Sequence, residues 1–337
     1  MAGIKDVAER AGLSVATVSR ALSGKGNVSP ASRARAQAAA ADLGFVPSYQ
    51  ASSLASGRNY NIGLVVPTIN RWYFSSVAEG VSAALLDAGY DLTLYNVTEA
   101  NRRQSVLHDF LLRKRVDAVI AVALALTDEE IQQMLAVHRP IVGIGGALKG
   151  ASTISIDDAG LSEAAVNHLI QLGHSRIAHL SGDSVYEPDF KIPRTRLAGY
   201  ERALLAAGLE VRPEWTVTAD FTIQGGYAAA RQLLGASAER PTALFAASDE
   251  MAIGAILGAR DFGLRIPGDF SVIGMDGHEL GELFGLTTID QDPHGQGALA
   301  VRLLLEGLGG GKDRPGIHTE YPTRLIVRRS TAVPPRL

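Results

Sequence analysis

The chain has 337 residues, no cysteine and a formal net charge of −3, and 46% of its residues are hydrophobic. The absence of cysteine excludes disulfides and thiolate metal sites, while the length suits a small domain together with one large or two medium domains. Residues 1–58 contain seven Lys or Arg and three Asp or Glu, a net charge of +4, so the remainder carries −7. A basic N-terminal part on an acidic body favours contact of that part alone with a polyanion.

No stretch of the sequence is typical of a targeting or membrane segment. The N-terminus begins in a polar, helical pattern without an apolar signal region. The longest apolar run, residues 118–126, has nine residues, which is far short of a membrane span. We therefore expect a cytoplasmic protein without a membrane partner.

Two short helices are predicted at the N-terminus, over residues 4–11 and 15–22. Apolar residues recur at helical spacing in both, so the two helices can pack on each other. Gly12 suits the left-handed backbone that ends a helix, and Ser14 is a typical N-cap for the second helix. This is the helix-turn-helix pattern, whose second helix enters a DNA major groove.

The second helix contains small or hydrogen-bonding side chains, and one guanidinium long enough to reach a base edge, as candidates to face outward. Val15 is also one of the apolar residues that can pack on the first helix, so both positions remain open for it. The outward candidates are Val15, Ala16, Thr17, Ser19 and Arg20.

A third helix is predicted to begin at Pro30, with Ser29 as its N-cap, and to run to about Leu43, where Gly44 ends it. Residues 48–57 then have room for two helical turns at most. A helix this short is marginal in water, because nucleation costs more than so few hydrogen bonds return. We expect this segment to become ordered only when a partner holds it.

From residue 60 onward, short β-branched runs alternate with longer helical stretches. The alternation predicts parallel sheets with helices on both faces. Two sets of about 120 residues fit two doubly wound subdomains, with a ligand cleft at the carboxyl ends of their strands. The predicted strands are residues 61–67, 91–95, 118–122, 141–144, 176–180, 243–246 and 270–274, and a helix is predicted over residues 73–88.

Enzyme motifs in the chain are incomplete. Residues 173–177 begin like a nucleophile elbow but lack its final glycine. Residues 309–312 end like a phosphate-binding loop, yet Asp313 stands where Ser or Thr is required. The histidines are scattered, without metal-ligand spacing. We therefore expect a non-enzyme without a cofactor or metal.

Residues 70–74 follow the first predicted strand and contain Asn70 and three consecutive aromatics, Trp72, Tyr73 and Phe74. Ligand pockets are rich in aromatic side chains, whose faces stack on the apolar faces of sugar rings. These residues therefore indicate a carbohydrate site at the cleft edge. The alternative is that at least one of the three aromatics caps the core.

The chain resembles the LacI/GalR family of transcription regulators. The resemblance implies an N-terminal all-α helix-turn-helix headpiece and two doubly wound α/β subdomains of the periplasmic-binding-protein-like type, with crossovers near residues 160, 290 and 322. The implied segments are 1–46 for the headpiece, 47–58 for the hinge, 59–160 with 291–322 for the first effector-binding subdomain, and 161–290 with 323–337 for the second. The matching motifs are Ile4-Lys5-Asp6-Val7-Ala8, Ala16-Thr17-Val18-Ser19-Arg20-Ala21-Leu22, residues 47–54 and Tyr321-Pro322-Thr323-Arg324-Leu325.

The resemblance also implies three partners: a pseudopalindromic double-stranded operator DNA, a small carbohydrate-like effector, and a second copy of the chain in a homodimer. In the family the hinge folds into a helix in the minor groove, where Leu54 matches the leucine that wedges a base step. The implied DNA-contacting residues are Ser14, Val15, Ala16, Thr17, Ser19, Arg20, Ser29, Leu54 and Ala55.

Arg196 and Asp276 match the most regular polar effector contacts of the family, a guanidinium and a carboxylate that each hold adjacent hydroxyls. The alternative for these two is a structural ion pair with each other. Phe221 matches a ring-stacking aromatic or else ends a strand in the core, Ser248 matches a ligand-contacting position, and Asp249 is expected to cap the next helix. The resemblance thus adds Arg196, Phe221, Ser248 and Asp276 to Asn70, Trp72, Tyr73 and Phe74 as predicted effector-binding residues.

The function implied is repression of sugar-utilisation genes, with release from the operator when the effector binds. A corepressor mechanism, a solute-binding protein without DNA function and a sugar-transforming enzyme are the alternatives. Gly145-Gly146 stand where many relatives carry an Asp, so the resemblance does not imply which sugar binds.

Overall fold

The structure is a computed structural model. It divides into two compact units, Met1–Tyr60 and Asn61–Leu337. The hinge segment, including Leu54 and Ala55, lies outside the described residues. The residues that the structure describes are 2–23, 27–45, 58–97, 115–124, 127–136, 140–146, 148, 150–182, 191–236, 239–309 and 316–335.

The first unit contains helices α1 (Ile4–Ala11), α2 (Val15–Ser23) and α3 (Pro30–Asp42). Gly12 ends α1 with a left-handed backbone at φ 63°. Ser14 Oγ accepts the N–H of Thr17 at 3.1 Å and so caps α2. The predicted helix-turn-helix and its two capping residues are therefore confirmed.

The core of the first unit is small and rich in alanine. Alanine side chains at the helix contacts leave little space between the backbones, which suits a domain of this size. Val15 is 42% exposed and faces solvent, whereas Val18 is fully buried. Among the described residues of the first unit, the buried apolar side chains of this core are Val7, Ala8, Ala11, Val18, Ala21, Ala36, Ala39 and Ala40.

The second unit contains two sheets of six strands each within the described residues. The strands of the first sheet are β1 (Asn61–Val66), β2 (Asp91–Asn96), β3 (Ala118–Val122), β4 (Ile141–Ile144), β5 (Ser152–Ser155) and β11 (His318–Glu320). Their spatial order is β11-β5-β4-β3-β1-β2, and all neighbouring strands are parallel. The helices that accompany this sheet are α4 (Trp72–Asp87), α5 (Asp128–Ala136) and α11 (Pro293–Gly309).

The strands of the second sheet are β6 (Ile177–Gly182), β7 (Thr216–Ala219), β8 (Ala243–Ala246), β9 (Ser271–Asp276), β10 (Thr287–Asp290) and β12 (Arg324–Ile326). Their order is β12-β10-β9-β8-β6-β7, and only β12 is antiparallel to its neighbour. The helices of this half are α6 (Asp158–Gln171), α7 (Ile192–Ala206), α8 (Ile223–Ala236), α9 (Asp249–Asp261) and α10 (Gly281–Phe284).

Within the described residues, the chain passes between the two sheets after β5, after β10 and between β11 and β12. The last two passages are linked, because the Tyr321 hydroxyl donates to Asp292 Oδ2 at 2.7 Å. The side chain of Arg324 also donates to Asp290 Oδ2 at 2.9 Å. These two bonds hold together the second and third crossover segments between the two halves of the unit.

The predicted α/β class is confirmed, and several strand limits match closely. Strands β3, β4 and β8 have the predicted bounds, whereas β9 continues to Asp276, two residues beyond the prediction. Strands β5, β7 and β10 were missed, because their four residues are rich in Ser and Thr and lack the apolar run that marks β4 and β8, which are equally short. Strands β11 and β12 were also missed, since each has only three residues. Among the described residues, no helix is both long and apolar enough to cross a membrane.

Candidate functional site

One face of α2 is open to solvent. Val15, Ala16, Ser19 and Arg20 are exposed, while Val18 between them is buried against the other helices. Positions one, two, five and six of a helix lie on one side of it, so these side chains form a continuous surface. The second helix thus presents four of the five predicted outward residues to solvent, and the fifth, Thr17, is half-buried.

Arg20 is held by its own helix. Its Nε donates to the carbonyl oxygen of Ala16 at 3.1 Å. Bidentate contact with a guanine edge can use the terminal guanidinium nitrogens, which this bond does not involve. The bond through Nε holds the side chain along the exposed face of α2. The terminal nitrogens Nη1 and Nη2 take no part in this bond and can donate to a base edge.

The predicted hydroxyl contacts lie at helix starts. Thr17 is half-buried, and its Oγ1 lies 2.8 Å from Ser14 Oγ. Ser29 Oγ accepts the N–H of Ser32 at 3.2 Å and caps α3. Backbone N–H groups at helix N-termini attract anions, so these positions suit contact with DNA phosphates.

The second unit holds a cavity of about 280 Å³, near the small end of the range for ligand pockets. Its wall is built at the carboxyl ends of strands from both sheets, where parallel sheets commonly bind ligands. The residues that follow these strand ends and line the cavity include Pro67, Ala123, Gly145, Ile156, Asp220, Phe221, Ser248 and Gln291.

Arg196 lies on α7 and is buried in the cavity wall at 5% exposure. Its Nε donates to Asp158 Oδ1 at 2.8 Å, and its Nη1 donates to the carbonyl oxygen of Ala247. Burial alone would lower the pKa of Arg196, but the carboxylates of Asp158 and Asp276 outweigh burial and raise the pKa. The guanidinium is therefore a fixed cation in the wall.

Asp276 ends β9 and is 6% exposed. Its Oδ1 accepts the amide of Gln291 at 2.6 Å, and its Oδ2 accepts the N–H of Asp249 at 3.4 Å. Burial raises the pKa of this carboxyl group, while the nearby Arg196 opposes the rise. Two donors on a buried carboxyl fix its orientation toward the cavity.

A hydrogen-bonded chain crosses from one half of the unit to the other. The Tyr73 hydroxyl donates to Gln296 Oε1 at 3.3 Å, and Gln296 Nε2 donates to the carbonyl oxygen of Gln291 at 2.7 Å. Gln291 in turn donates to Asp276. Helix α4 is thereby connected to the end of β9 through the second crossover.

Two phenylalanine rings supply part of the apolar wall, beside the ring of Tyr73 and aliphatic side chains such as Ile156 and Ile192. Phe74 lies edge-on to Tyr73, with ring centroids 5.4 Å apart. Phe221 follows β7 with a positive φ of 59°, and its ring lies over Gly182 at the end of β6. A Cβ at Gly182 would lie 1.9 Å from the ring, so only glycine leaves room for Phe221 there.

Two parts of the chain match known protein families. Residues 3–48 match the family described as "Bacterial regulatory proteins, lacI family", and residues 166–331 match the "Periplasmic binding protein-like domain". Catabolite control protein A of Priestia megaterium is 32% identical over 97% of this chain and 98% of its own length. The chain belongs to the lacI family. The HTH-type transcriptional repressor PurR of Erwinia tasmaniensis is 35% identical over 98% of this chain and 97% of its own length.

Solved structures of lacI-family regulators share the fold. The lac repressor dimer bound to operator and the anti-inducer ONPF has a TM-score of 0.84 at 27% identity, covering 98% of this chain and 99% of that one. The transcriptional regulator CelR in complex with cellobiose has a TM-score of 0.71 at 31% identity, covering 98% of this chain and all of that one. The protein is thus a DNA-binding transcriptional regulator with a periplasmic-binding-protein-like domain.

Seven of the eight residues predicted to bind effector line the cavity. Trp72 is the exception, since its ring stacks on His278 with centroids 4.5 Å apart and it is absent from the cavity wall. The tryptophan begins α4, where helix geometry turns it away from its neighbours Tyr73 and Phe74. The seven residues are Asn70, Tyr73, Phe74, Arg196, Phe221, Ser248 and Asp276.

Two expectations about polar residues need correction. The buried ion pair of Arg196 is formed with Asp158, 38 residues away along the chain, and not with Asp276. The helix after β8 is capped by Ser248, whose Oγ accepts the N–H of Met251 at 3.3 Å. Asp249 is the first residue of that helix and is fully buried.

Asp249 instead supports the end of β9. Its Oδ2 accepts the N–H groups of Gly277 and His278 at 2.9 and 2.8 Å, and its Oδ1 accepts the hydroxyl of Thr288 at 2.7 Å. Burial raises the pKa of Asp249, while these three donors favour its ionised form and oppose the rise. The carboxyl group fixes the backbone that carries Asp276.

Asp158, Gln291 and Gln296 were not identified from the sequence. Gln291 follows β10, and the sequence did not predict that strand. The local signal for Gln291 would have been its position directly after a strand, and that signal requires the strand to be recognised first. Within the described part of the chain, no group of three or more His, Asp or Glu side chains is arranged to hold a metal ion.

Proposed function

We propose that this lacI-family regulator represses sugar-utilisation genes and leaves its operator when a small carbohydrate fills the cavity. The observation that carries the proposal is the pairing of two buried polar groups, Arg196 and Asp276, with two aromatic rings, Phe74 and Phe221, in one wall. A sugar ring presents adjacent hydroxyls to the first pair and apolar C–H faces to the second.

On DNA, two copies of the chain would place their α2 helices in successive major grooves of a pseudopalindromic site. Arg20 would contact guanine, Ala16 a thymine methyl, and Thr17 and Ser19 a phosphate or base edge. Leu54 would act as the minor-groove wedge. The exposure of Ala16, Ser19 and Arg20 on one face of α2 supports this assignment.

Coupling between effector and operator would operate through movement of the two halves of the second unit. The cavity wall takes residues from both sheets, and Tyr73 is connected to Asp276 across the second crossover. An effector that binds one arrangement of the halves more tightly shifts the population toward that arrangement. We propose that this arrangement is the one that binds operator less well, so the effector-loaded protein releases its operator.

We infer that the cavity binds its ligand without transforming it. Asp158 is paired with Arg196, and Asp276 is held by Gln291, so neither carboxyl is placed as a base beside a nucleophile among the described lining residues. The relatives are transcriptional regulators, which supports the same view. A regulator of this kind acts in the cytoplasm, where its DNA is.

The test uses D-glucose, D-galactose, D-xylose, D-ribose and cellobiose, first in a thermal-shift screen and then in operator-binding assays. The Asp276→Asn variant is expected to bind operator normally and to lose its response to the sugar that shifts the wild type. The control Asp87→Asn changes an exposed carboxyl at the end of α4 and keeps the response. A retained response in Asp276→Asn contradicts the site, and tighter operator binding with sugar contradicts release.

A further inference from the structure

Acidic side chains outnumber basic side chains in the cavity wall. Carboxyl groups outnumber guanidinium groups by four to two among the described lining residues. The charge of a ligand must complement that of the wall, since like charges brought together repel each other. The carboxyl groups are those of Asp158, Asp220, Glu250 and Asp276, and the guanidinium groups are those of Arg71 and Arg196.

Both guanidinium groups are engaged with protein oxygens. Arg196 pairs with Asp158 and also donates to a backbone carbonyl. Arg71 donates from Nη1 to the carbonyl oxygen of Asn70 at 2.6 Å and from Nη2 to that of Asp220 at 3.3 Å. Strong phosphate recognition by arginine uses the two parallel N–H groups of the guanidinium fork. In Arg71 each Nη group already donates one of its two N–H groups to a backbone carbonyl, which fixes the orientation of the guanidinium fork.

The helix N-termini at the wall are also occupied by protein carboxyl groups. The first N–H of α9, from Asp249, donates to Asp276 Oδ2 at 3.4 Å. The first N–H of α4, from Trp72, donates to Glu250 Oε2 at 3.2 Å. A phosphate bound at a helix N-terminus uses these same N–H groups. At both helices an incoming phosphate would have to displace a carboxylate of the protein.

We infer that the effector is an uncharged sugar of about monosaccharide size and that the cavity rejects the phosphate ester of that same sugar. The inference rests on the proposed function and specifies the ligand class of its site. Neutral hydroxyls can donate to the excess carboxylates and accept from Arg196 without adding negative charge. The volume of about 280 Å³ suits one ring between Phe74 and Phe221.

The experiment compares matched pairs by calorimetry and thermal shift on the full chain: D-glucose with glucose 6-phosphate, D-galactose with galactose 6-phosphate, and D-ribose with ribose 5-phosphate. The free sugar of at least one pair is expected to bind, and its ester to bind on the order of 100-fold more weakly. An ester that binds as tightly as its parent overturns the inference and leaves the carbohydrate function standing. If no sugar and no ester binds, the carbohydrate function itself fails.

Charge-removing variants test the cause. Glu250→Gln and Asp220→Asn each remove one negative charge and keep an oxygen at the same place, so the ratio of sugar to ester affinity is expected to fall several-fold. Glu214→Gln removes an exposed charge outside the cavity wall and serves as the matched control with an unchanged ratio. Circular dichroism verifies that each variant is folded. An unchanged ratio in both cavity variants, in folded protein, contradicts the electrostatic explanation.

Discussion

Three non-glycine residues in the cavity wall have a positive φ: Ala123 at 48°, Phe221 at 59° and Asp276 at 142°. Such backbones cost on the order of 1–3 kcal/mol each and persist where the surroundings hold them. For Asp276 the surroundings are the amide of Gln291 and the backbone N–H of Asp249. The strain is concentrated at the residues that would contact the effector.

A single exposed residue of α2 is expected to account for much of the base recognition. Arg20→Ala should weaken specific operator binding by about 1–3 kcal/mol and leave binding to random DNA almost unchanged. The reason is that, among the described residues, the Arg20 side chain bonds only to Ala16 of its own helix and is not part of the headpiece core. Fluorescence anisotropy at fixed salt measures both affinities.

Arg10→Ala is the matched control, because Arg10 lies on α1 and pairs with Asp42 at 3.3 Å. It removes the same charge from the headpiece without touching α2. The control is expected to change both DNA affinities equally. An equal loss on operator and random DNA in Arg20→Ala would refute the base-reading role.

At the scale of elements, the start of α2 depends on one hydroxyl. Ser14→Ala removes the acceptor for the Thr17 N–H and should destabilise the headpiece by about 1 kcal/mol. Ser19→Ala makes the same chemical change inside the helix and should alter stability by less than about 0.5 kcal/mol. Hydrogen exchange of the α1–α3 amides in the full chain measures the difference. Equal exchange rates in the two variants would show that the cap is unimportant.

The ring of Phe221, just before α8, packs directly on Gly182 at the end of β6. Gly182→Ala places a methyl group 1.9 Å from the present Phe221 ring, so the ring must move. Effector affinity is expected to fall by about 1 kcal/mol, while operator affinity without effector stays the same. Calorimetry with the bound sugar gives the first value. Gly146→Ala is the control, because a Cβ at Gly146 has no atom within 4 Å. An unchanged sugar affinity in Gly182→Ala would show that Phe221 does not contact the effector.

At the scale of the whole molecule, a buried histidine connects stability to pH. His179 lies between the rings of Tyr200 and Phe245, and its Nδ1–H donates to the carbonyl oxygen of Phe245 at 3.0 Å. Its buried Nε2 has no hydrogen-bond partner among the described residues. Burial lowers the pKa of His179 to about 4, so the ring is neutral in the folded protein.

Because the pKa of His179 is lower in the folded than in the unfolded chain, the unfolded chain takes up the proton first as the pH falls. The stabilising contribution is therefore complete above about pH 6.5 and is lost as the pH falls toward 4. Between pH 7 and pH 5 the free energy of unfolding should fall by about 2 kcal/mol more in the wild type than in His179→Phe. Urea unfolding at both pH values measures this. Parallel pH profiles for the two proteins would contradict the assignment.

Local sequence was sufficient for the features that depend on near neighbours. The helix-turn-helix, its caps at Gly12 and Ser14, and the alternation of strands and helices follow from spacings of two to four residues, which act within one element. Family motifs then indicated four residues of the cavity wall, Arg196, Phe221, Ser248 and Asp276, and the aromatic segment indicated Asn70, Tyr73 and Phe74. Short strands rich in Ser and Thr, such as β5 and β10, lack the apolar run that allowed the equally short β4 and β8 to be recognised.

The contacts that Arg196, Asp276 and Trp72 make with other residues were decided by the tertiary structure alone. Arg196 pairs with Asp158, Asp276 is held by Gln291, and Trp72 stacks on His278 instead of entering the cavity. Each of these contacts joins different elements, brought together by the packing of helices on the sheets. Local pattern shows which residues a segment contains and which face they share. Which residues of another segment they meet depends on sheet order and on where the chain crosses between the halves, and these are properties of the assembled fold.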